Sequence, residues 1–364
     1  MTNRLNKIES VFNNSKLDLI ALVPGSNFRY LTGGNFHLME RPTLILFTKN
    51  KKPVAILPVL EVDSFKKLNV DADIVAWQDK DGYINAFRKA AEIIGKVNCI
   101  GVEGQRIRFF ESTALQEAFP NAVIQNSHAL ISKIRLNKDK NEIESLKKAI
   151  LISEKSLMNT IDFIKENVTE LDIKNYLIQE LYKNDSEGLA FDPIVLASGN
   201  SALPHGHSGN YKLKKGDAIL FDFGATIDGY NADITRTFFL NYADDYQSEF
   251  YNTVLQANLI GIEKSIVNNS LNNVDDSVLD YLEHSKFKEF IVHKTGHGLG
   301  LDVHEDPYVM RGNQAKLEEG MVITIEPGLY NPSKLGVRIE DDVCIDSEGP
   351  EILTSFSKDL TVIK

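Results

Sequence analysis

Along residues 1–130, apolar positions fall in short runs at 17–23, 43–48, 54–57 and 99–102, each of strand length. Between them lies 84–94, where Ile84, Phe87, Ala91 and Ile94 recur at helical spacing. This alternation predicts an α/β domain. No phosphate-binding glycine loop accompanies it, and Gly33-Gly34 reads as a turn. The pattern changes near residue 131. Asp139 with Glu142 carries the signature of a helix N-terminal capping box. Ile143, Leu146, Ile150, Leu157, Ile161 and Ile164 then follow as the stripe of a long amphipathic helix. A second helix is predicted from Thr169 and a third over 246–267. The stretches 191–197, 217–224, 233–240, 321–326 and 336–345 read as strands. The expected fold class is α+β, with domains at 1–130 and 131–364, the second built of helices on a largely antiparallel sheet.

Composition agrees with two ordinary globular domains: 364 residues exceed what one core usually organises, and 43% are hydrophobic and 25% charged. A formal net charge of -11 gives no footprint for nucleic acid or an anionic membrane. Residues 1–15 are polar, without the apolar core of a signal peptide, and no apolar run nears the roughly 20 residues that cross a bilayer. With Cys99 and Cys344 the only cysteines, a disulfide framework or thiolate zinc site is not expected and a reducing cytoplasm fits. Any metal would have to be held by carboxylates and imidazoles.

Those residue types gather in the second half. Strand-like runs flank Asp228-Gly229, a hairpin signal. A turn there sets Asp222 opposite about Thr235, and side-chain alternation puts Asp233 on the face of Thr235. A hairpin turning near Ser333 likewise sets Glu326 opposite Glu340, with Pro327 keeping Glu326 extended. Arg338 shares the face of Glu340 and could hold its carboxylate. Between the hairpins, glycines on both sides of His297 allow close backbone approach and aim the imidazole. Neighbouring buried carboxylates resist ionisation unless a cation lies among them. Singly, each of these residues has an ordinary structural reading. Jointly, four carboxylates and one imidazole point to divalent ions, Mn²⁺ first, with Co²⁺, Zn²⁺ or Fe²⁺ as alternatives. A pair of such ions about 3.5–4 Å apart can activate water and clamp a tetrahedral intermediate.

These motifs, together with the segment from Phe191-Asp-Pro to His205-Gly, Thr295-Gly-His-Gly-Leu-Gly-Leu-Asp-Val-His-Glu and Gly336-Val-Arg-Ile-Glu-Asp, resemble the methionine aminopeptidase, aminopeptidase P and prolidase family over the whole second half. The family's catalytic domain has the pita-bread fold, and the first half resembles the creatinase-type N-terminal domain of its proline-directed members. The resemblance implies two metal ions, with Asp222 on one, His297 on the other, and Asp233 and Glu340 bridging. Glu326 would be a ligand that also steers protons. His205 and His304 would contact substrate and stabilise the oxyanion, while His293 and Arg338 would orient the ligands. It implies proline-containing peptides as substrates and a homodimer. The bond before proline has no N–H, so a site that activates its carbonyl by metal suits it.

Two activities then compete: Xaa-Pro aminopeptidase and Xaa-Pro dipeptidase (prolidase). A dipeptidase needs a cation for the proline carboxylate. Some prolidases carry an arginine just after His-Glu-x-Pro, where Tyr308 stands here; Arg311 lies nearby. That tilts the expectation toward an aminopeptidase. A metal-free creatinase-like C–N hydrolase, or a binding protein on the same fold, is the alternative of another class. Such relatives lose metal ligands, and all five candidates are present here. A lyase acting on a sulfonium osmolyte would call for a rearranged acidic cluster.

Overall fold

The apolar runs of the first third pair side by side in the computed structural model, which describes residues 2–364. Their sheet runs in the order Asp73–Trp77, Val54–Pro58, Leu44–Thr48, Leu19–Leu22, Cys99–Val102, Val123–Asn126. Leu44–Thr48 is antiparallel to both neighbours and the remaining pairs are parallel. Leu19–Leu22, Leu44–Thr48 and Val54–Pro58 are buried along their whole length, which is why they read as unbroken apolar runs and not as alternating ones. The predicted helix forms at Ile84–Ile94 and packs Ala86, Phe87, Ala90 and Ile94 into the core. Further helices in this region were not foreseen, Thr2–Asn13 and Phe109–Ala118 the longest among them. Phe109–Ala118 adds Ala114 and Leu115 to that core, and Thr2–Asn13 buries Ile8, Val11 and Phe12 within an otherwise polar stretch.

This unit ends at Arg135, and a second runs from Leu136 to Lys364. There Asp139 caps the helix Lys140–Ile161 through the backbone amides of Asn141 and Glu142, and the Glu142 side chain returns the bond. The helix stops before the end of the predicted stripe, with Ile164 buried in the turn that follows. Thr169 caps Glu170–Lys183. The helix Asp245–Lys264 is followed by Leu271–Glu283, unforeseen although Leu271, Val274, Val278 and Leu282 are buried at helical spacing.

Two sheets carry the chemistry-bearing residues. In one, Ile194–Ala197, Ala218–Phe223 and Ile234–Leu240 are antiparallel neighbours, with Val362–Ile363 parallel at the edge. In the other, Glu305–Val309, Gly296–Gly298, Val322–Ile325, Asp341–Asp346 and Gly349–Ile352 are antiparallel throughout. The stretch 336–345, expected as one strand, is two: Leu335–Arg338 pairs with Gly328–Asn331, Asp341–Asp346 pairs with Val322–Ile325, and Ile339 and Glu340 lie in the break. Among the described residues no helix is long and apolar enough to cross a membrane.

Candidate active site

The first hairpin turns on Asp228 and Gly229, whose φ of 54° and 83° give the left-handed pair that suits a two-residue loop. Its register sets Asp222 opposite Thr235. The second hairpin pairs Thr324 with Asp342 and Gly328 with Arg338, a register that carries Glu326 opposite Glu340. At those two glutamates the ladder opens and its partners change. The Glu326 amide donates to the Thr295 carbonyl at 2.8 Å, and the Glu340 amide donates to the Thr235 carbonyl at 3.2 Å. One hairpin is thus stitched to the other and to the His297 segment. His297 sits between Gly296 and Gly298; a Cβ on the first would overlap the Thr324 carbonyl and one on the second that of Asp306. Only glycine fits this approach.

The five side chains meet. Donor atoms of Asp222, Asp233 and Glu340 lie within 4.8 Å of one another, as do those of His297, Glu326 and Glu340, and those of Asp233, His297 and His304. His297 Nδ1 lies 3.0 Å from the Gly298 carbonyl, so it carries the proton and donates it. The Nε2 lone pair then faces Glu326 Oε1 at 3.4 Å and Asp233 Oδ2 at 3.7 Å. Burial above all, with the neighbouring His304 imidazole as a further cause, lowers the His297 pKa to about 3, so this imidazole is neutral. A neutral nitrogen lone pair facing two carboxylates is unsatisfied without a proton or a cation.

The acids tell the same story. Burial pushes Asp233 well above the ordinary range, and the charges of Glu340, Asp222, Asp342 and Glu326 push it further. Glu340 rises likewise through burial and the charges of Glu326 and Asp222. Burial takes Glu326 to about 7, against the pull of Arg338 and with the push of Asp222. Asp222 Oδ1 is buried with no hydrogen-bond partner. A buried carboxylate oxygen in that state, beside others that repel it, is what divalent-ion ligation would satisfy. Asp222, Asp233, His297, Glu326 and Glu340 therefore fit a metal, and a hard or borderline one, since no thiolate is among them.

These groups line a cavity of about 610 Å³. Phe191, Ile194, Val292 and Val303 give it an apolar wall, and His205, His293, Lys294 and His304 also line it. The size suits a small organic ligand.

Residues 144–347 match the family model described as metallopeptidase family M24. The chain belongs to that family. Residues 4–137 of this M24 chain match the creatinase/prolidase N-terminal domain. It is 32% identical to the Xaa-Pro dipeptidase from Bacillus anthracis, with a TM-score of 0.91 over 99% of each chain. For a prolidase from Thermococcus sibiricus the values are 30% and 0.93, covering 99% of this chain and 98% of that one. An X-Pro aminopeptidase from Thermotoga maritima MSB8 is 30% identical with a TM-score of 0.82, covering 97% of this chain and all of the other. The protein is an α+β metallopeptidase with a creatinase-type N-terminal domain before a pita-bread domain, and its family implies use of divalent metal.

In this M24 peptidase, one sequence-based expectation gives way. Arg338 does not hold Glu340. Its Nη2 pairs with Asp222 Oδ2, Nη1 donates to Tyr330 Oη at 2.7 Å and Nε to Thr235 Oγ1 at 3.1 Å, because the guanidinium crosses to the neighbouring hairpin. Arg311, near the Tyr308 position, pairs with Asp276, Asp280 and Glu283 on an exposed surface. His293 lies 2.7 Å from Tyr330 Oη through Nε2 and 2.7 Å from the Lys294 carbonyl through Nδ1, so both ring nitrogens are engaged. Burial, then the Arg338 charge, lowers it to about 4. His304 packs on His297 with ring centroids 4.0 Å apart, and His205 is exposed beside the cavity. Sequence reasoning missed Thr235, which donates to Glu340 Oε2 at 2.6 Å, and Tyr330. The only available signal for Thr235 was its position opposite Asp222. Nothing in the sequence marked Tyr330.

Proposed function

We propose that this protein is a dinuclear metal-dependent peptidase that hydrolyses the bond before proline in small peptides. The observation that carries the reading is the convergence of four carboxylates on one neutral imidazole, in a cavity large enough for a small peptide. That relatives of similar length and fold include an Xaa-Pro dipeptidase and an X-Pro aminopeptidase supports the choice of bond. In this reading Asp222, Asp233, His297, Glu326 and Glu340 would together hold the two ions. The ions are Mn²⁺ first, with Co²⁺, Zn²⁺ or Fe²⁺ as substitutes. When bound, they supply Lewis acidity toward a carbonyl oxygen and toward water.

The chain's own groups do the rest. Glu326 takes a proton from the attacking water and returns it to the leaving proline nitrogen, which has none of its own. His304, which burial and then the Lys294 charge keep neutral, presents an N–H to the developing oxyanion, and His205 lies on the same cavity. Arg338 fixes the free rotation of Asp222, while Tyr330 and Thr235 fix Arg338. The apolar wall receives the residue before proline.

The test compares Xaa-Pro, Xaa-Ala and Xaa-Pro-Yaa peptides after chelation and after return of each ion. Turnover confined to Xaa-Pro bonds and restored by an added ion supports the reading. Hydrolysis that ignores the chelator, or that favours Xaa-Ala, refutes it.

A further inference from the structure

His304, the group that meets the developing oxyanion, stands on no regular element. It closes the segment 299–304, which joins the strand Gly296–Gly298 to the strand Glu305–Val309. Its imidazole is exposed on the cavity side and packs on His297. A loop side chain of this kind keeps one direction only if the backbone behind it is held.

The hold comes from the next residue. Successive side chains at the start of a strand point to opposite sides, so His304 faces the cavity and Glu305 turns inward. Glu305 Oε1 accepts from Lys138 Nζ at 2.7 Å, with the lysine side chain 1% exposed and the glutamate 4%. The same carboxylate reaches back along the loop. Its Oε2 accepts from the Asp302 amide at 3.4 Å, and a Cβ on Gly300 would stand 2.7 Å from Oε1. Lys138 is anchored in turn, its amide donating to the Gly320 carbonyl at 2.7 Å. Asn231 grips the loop as well, through its amide to the Gly300 carbonyl at 2.9 Å and its side chain to the carbonyls of Gly300 and Leu301. An ion pair this far out of water costs desolvation that its own attraction does little more than offset. Such a pair is weak ground for stability and better ground for fixing one arrangement of the chain.

We propose that the buried Lys138–Glu305 pair is a positioning device for His304, fixing the backbone of 300–305 so that the imidazole is aimed in advance at the place where the oxyanion develops. The inference rests on the Xaa-Pro peptidase reading above and adds two residues that set its rate. Neither lines the cavity, so both act through His304, and neither forms or breaks a bond. Because the oxyanion exists only beyond the ground state, loosening the pair lowers kcat and leaves KM nearly unchanged.

The experiment uses the full-length enzyme reconstituted with Mn²⁺, assayed on Leu-Pro and Leu-Pro-Ala. Lys138→Met with Glu305→Met is built twice, once with His304 present and once with His304→Ala. Paired methionines remove both charges together, so no buried ion is stranded, and circular dichroism and bound-metal content check that fold and site survive. With His304 present, the paired change lowers kcat about tenfold or more and moves KM by less than about twofold. With His304→Ala, the same change moves kcat by less than about twofold, since no imidazole is left to aim. Glu305→Gln, the milder change, shifts the same quantities in the same direction by a smaller factor and keeps the test open if the paired variant misfolds. An unchanged kcat, an equal loss with and without His304, or a loss carried by KM or by departed metal overturns the assignment of the pair while the peptidase reading stands. A wild type that cleaves neither substrate defeats both.

Discussion

Glu326→Gln replaces a buried ionisable carboxyl with a neutral side chain of the same shape, and its effect on the chelated protein follows from the site's electrostatics. Burial lifts Glu326 from 4.5 to about 7, opposed by the Arg338 charge and helped by that of Asp222. A carboxyl whose folded pKa lies above its unfolded one is held more tightly by the folded chain. Its full stabilising contribution is therefore present below about pH 4.5 and is lost as pH climbs to about 7, a loss of about 3 kcal/mol. The glutamine carries no such term. His297 and His293, lowered to about 3 and about 4, act in the opposite sense, since stability rises with pH until the unfolded imidazoles lose their protons. Both proteins contain them, so they cancel in the comparison. The variant should match the wild type near pH 4.5 and exceed it by about 3 kcal/mol at pH 8, or about 6–12 °C in melting temperature for a unit of this size. Urea unfolding in chelator at several pH values measures this. A gap that does not widen with pH, or a wild type that remains the more stable at pH 8, refutes the account of the cluster.

Other substitutions separate the roles of the remaining groups. Asp233→Ala and Glu340→Ala should abolish turnover of Xaa-Pro substrates while circular dichroism shows the fold retained; near-normal rates in either would show that the ligands are misassigned. Arg338→Met strands Asp222 and should destabilise the protein by about 3–5 kcal/mol in urea, with Arg338→Lys a poor rescue because it cannot span three partners. His304→Ala should lower kcat with little change in KM, and a change confined to KM would argue for simple substrate binding.

What could be read from the sequence follows the range of the forces involved. The register of both hairpins was legible because Asp228-Gly229 marks one turn and alternation fixes every pair outward from a turn. The glycines flanking His297 announced a close approach, and the structure shows the carbonyls they make room for. The partner of Arg338 was not legible: the choice between Glu340 on its own strand and Asp222 on another hairpin depends on how the hairpins cross, which no local pattern encodes. The break at Ile339 and Glu340 was hidden for the same reason, since an apolar stretch that changes partners keeps its composition. Thr2–Asn13 was overlooked because its buried Ile8, Val11 and Phe12 are diluted by polar neighbours. Leu271–Glu283 did carry a readable stripe, with Ser270 as its cap.

The central claim is that four acids and an imidazole share one buried cavity because divalent cations belong among them. Elemental analysis of protein purified without chelator, paired with an Xaa-Pro assay before and after metal removal, tests it most directly. The account predicts two ions per chain, turnover that disappears with them, and recovery when they are returned. Fewer than one ion per chain, with turnover untouched by a chelator, would contradict it.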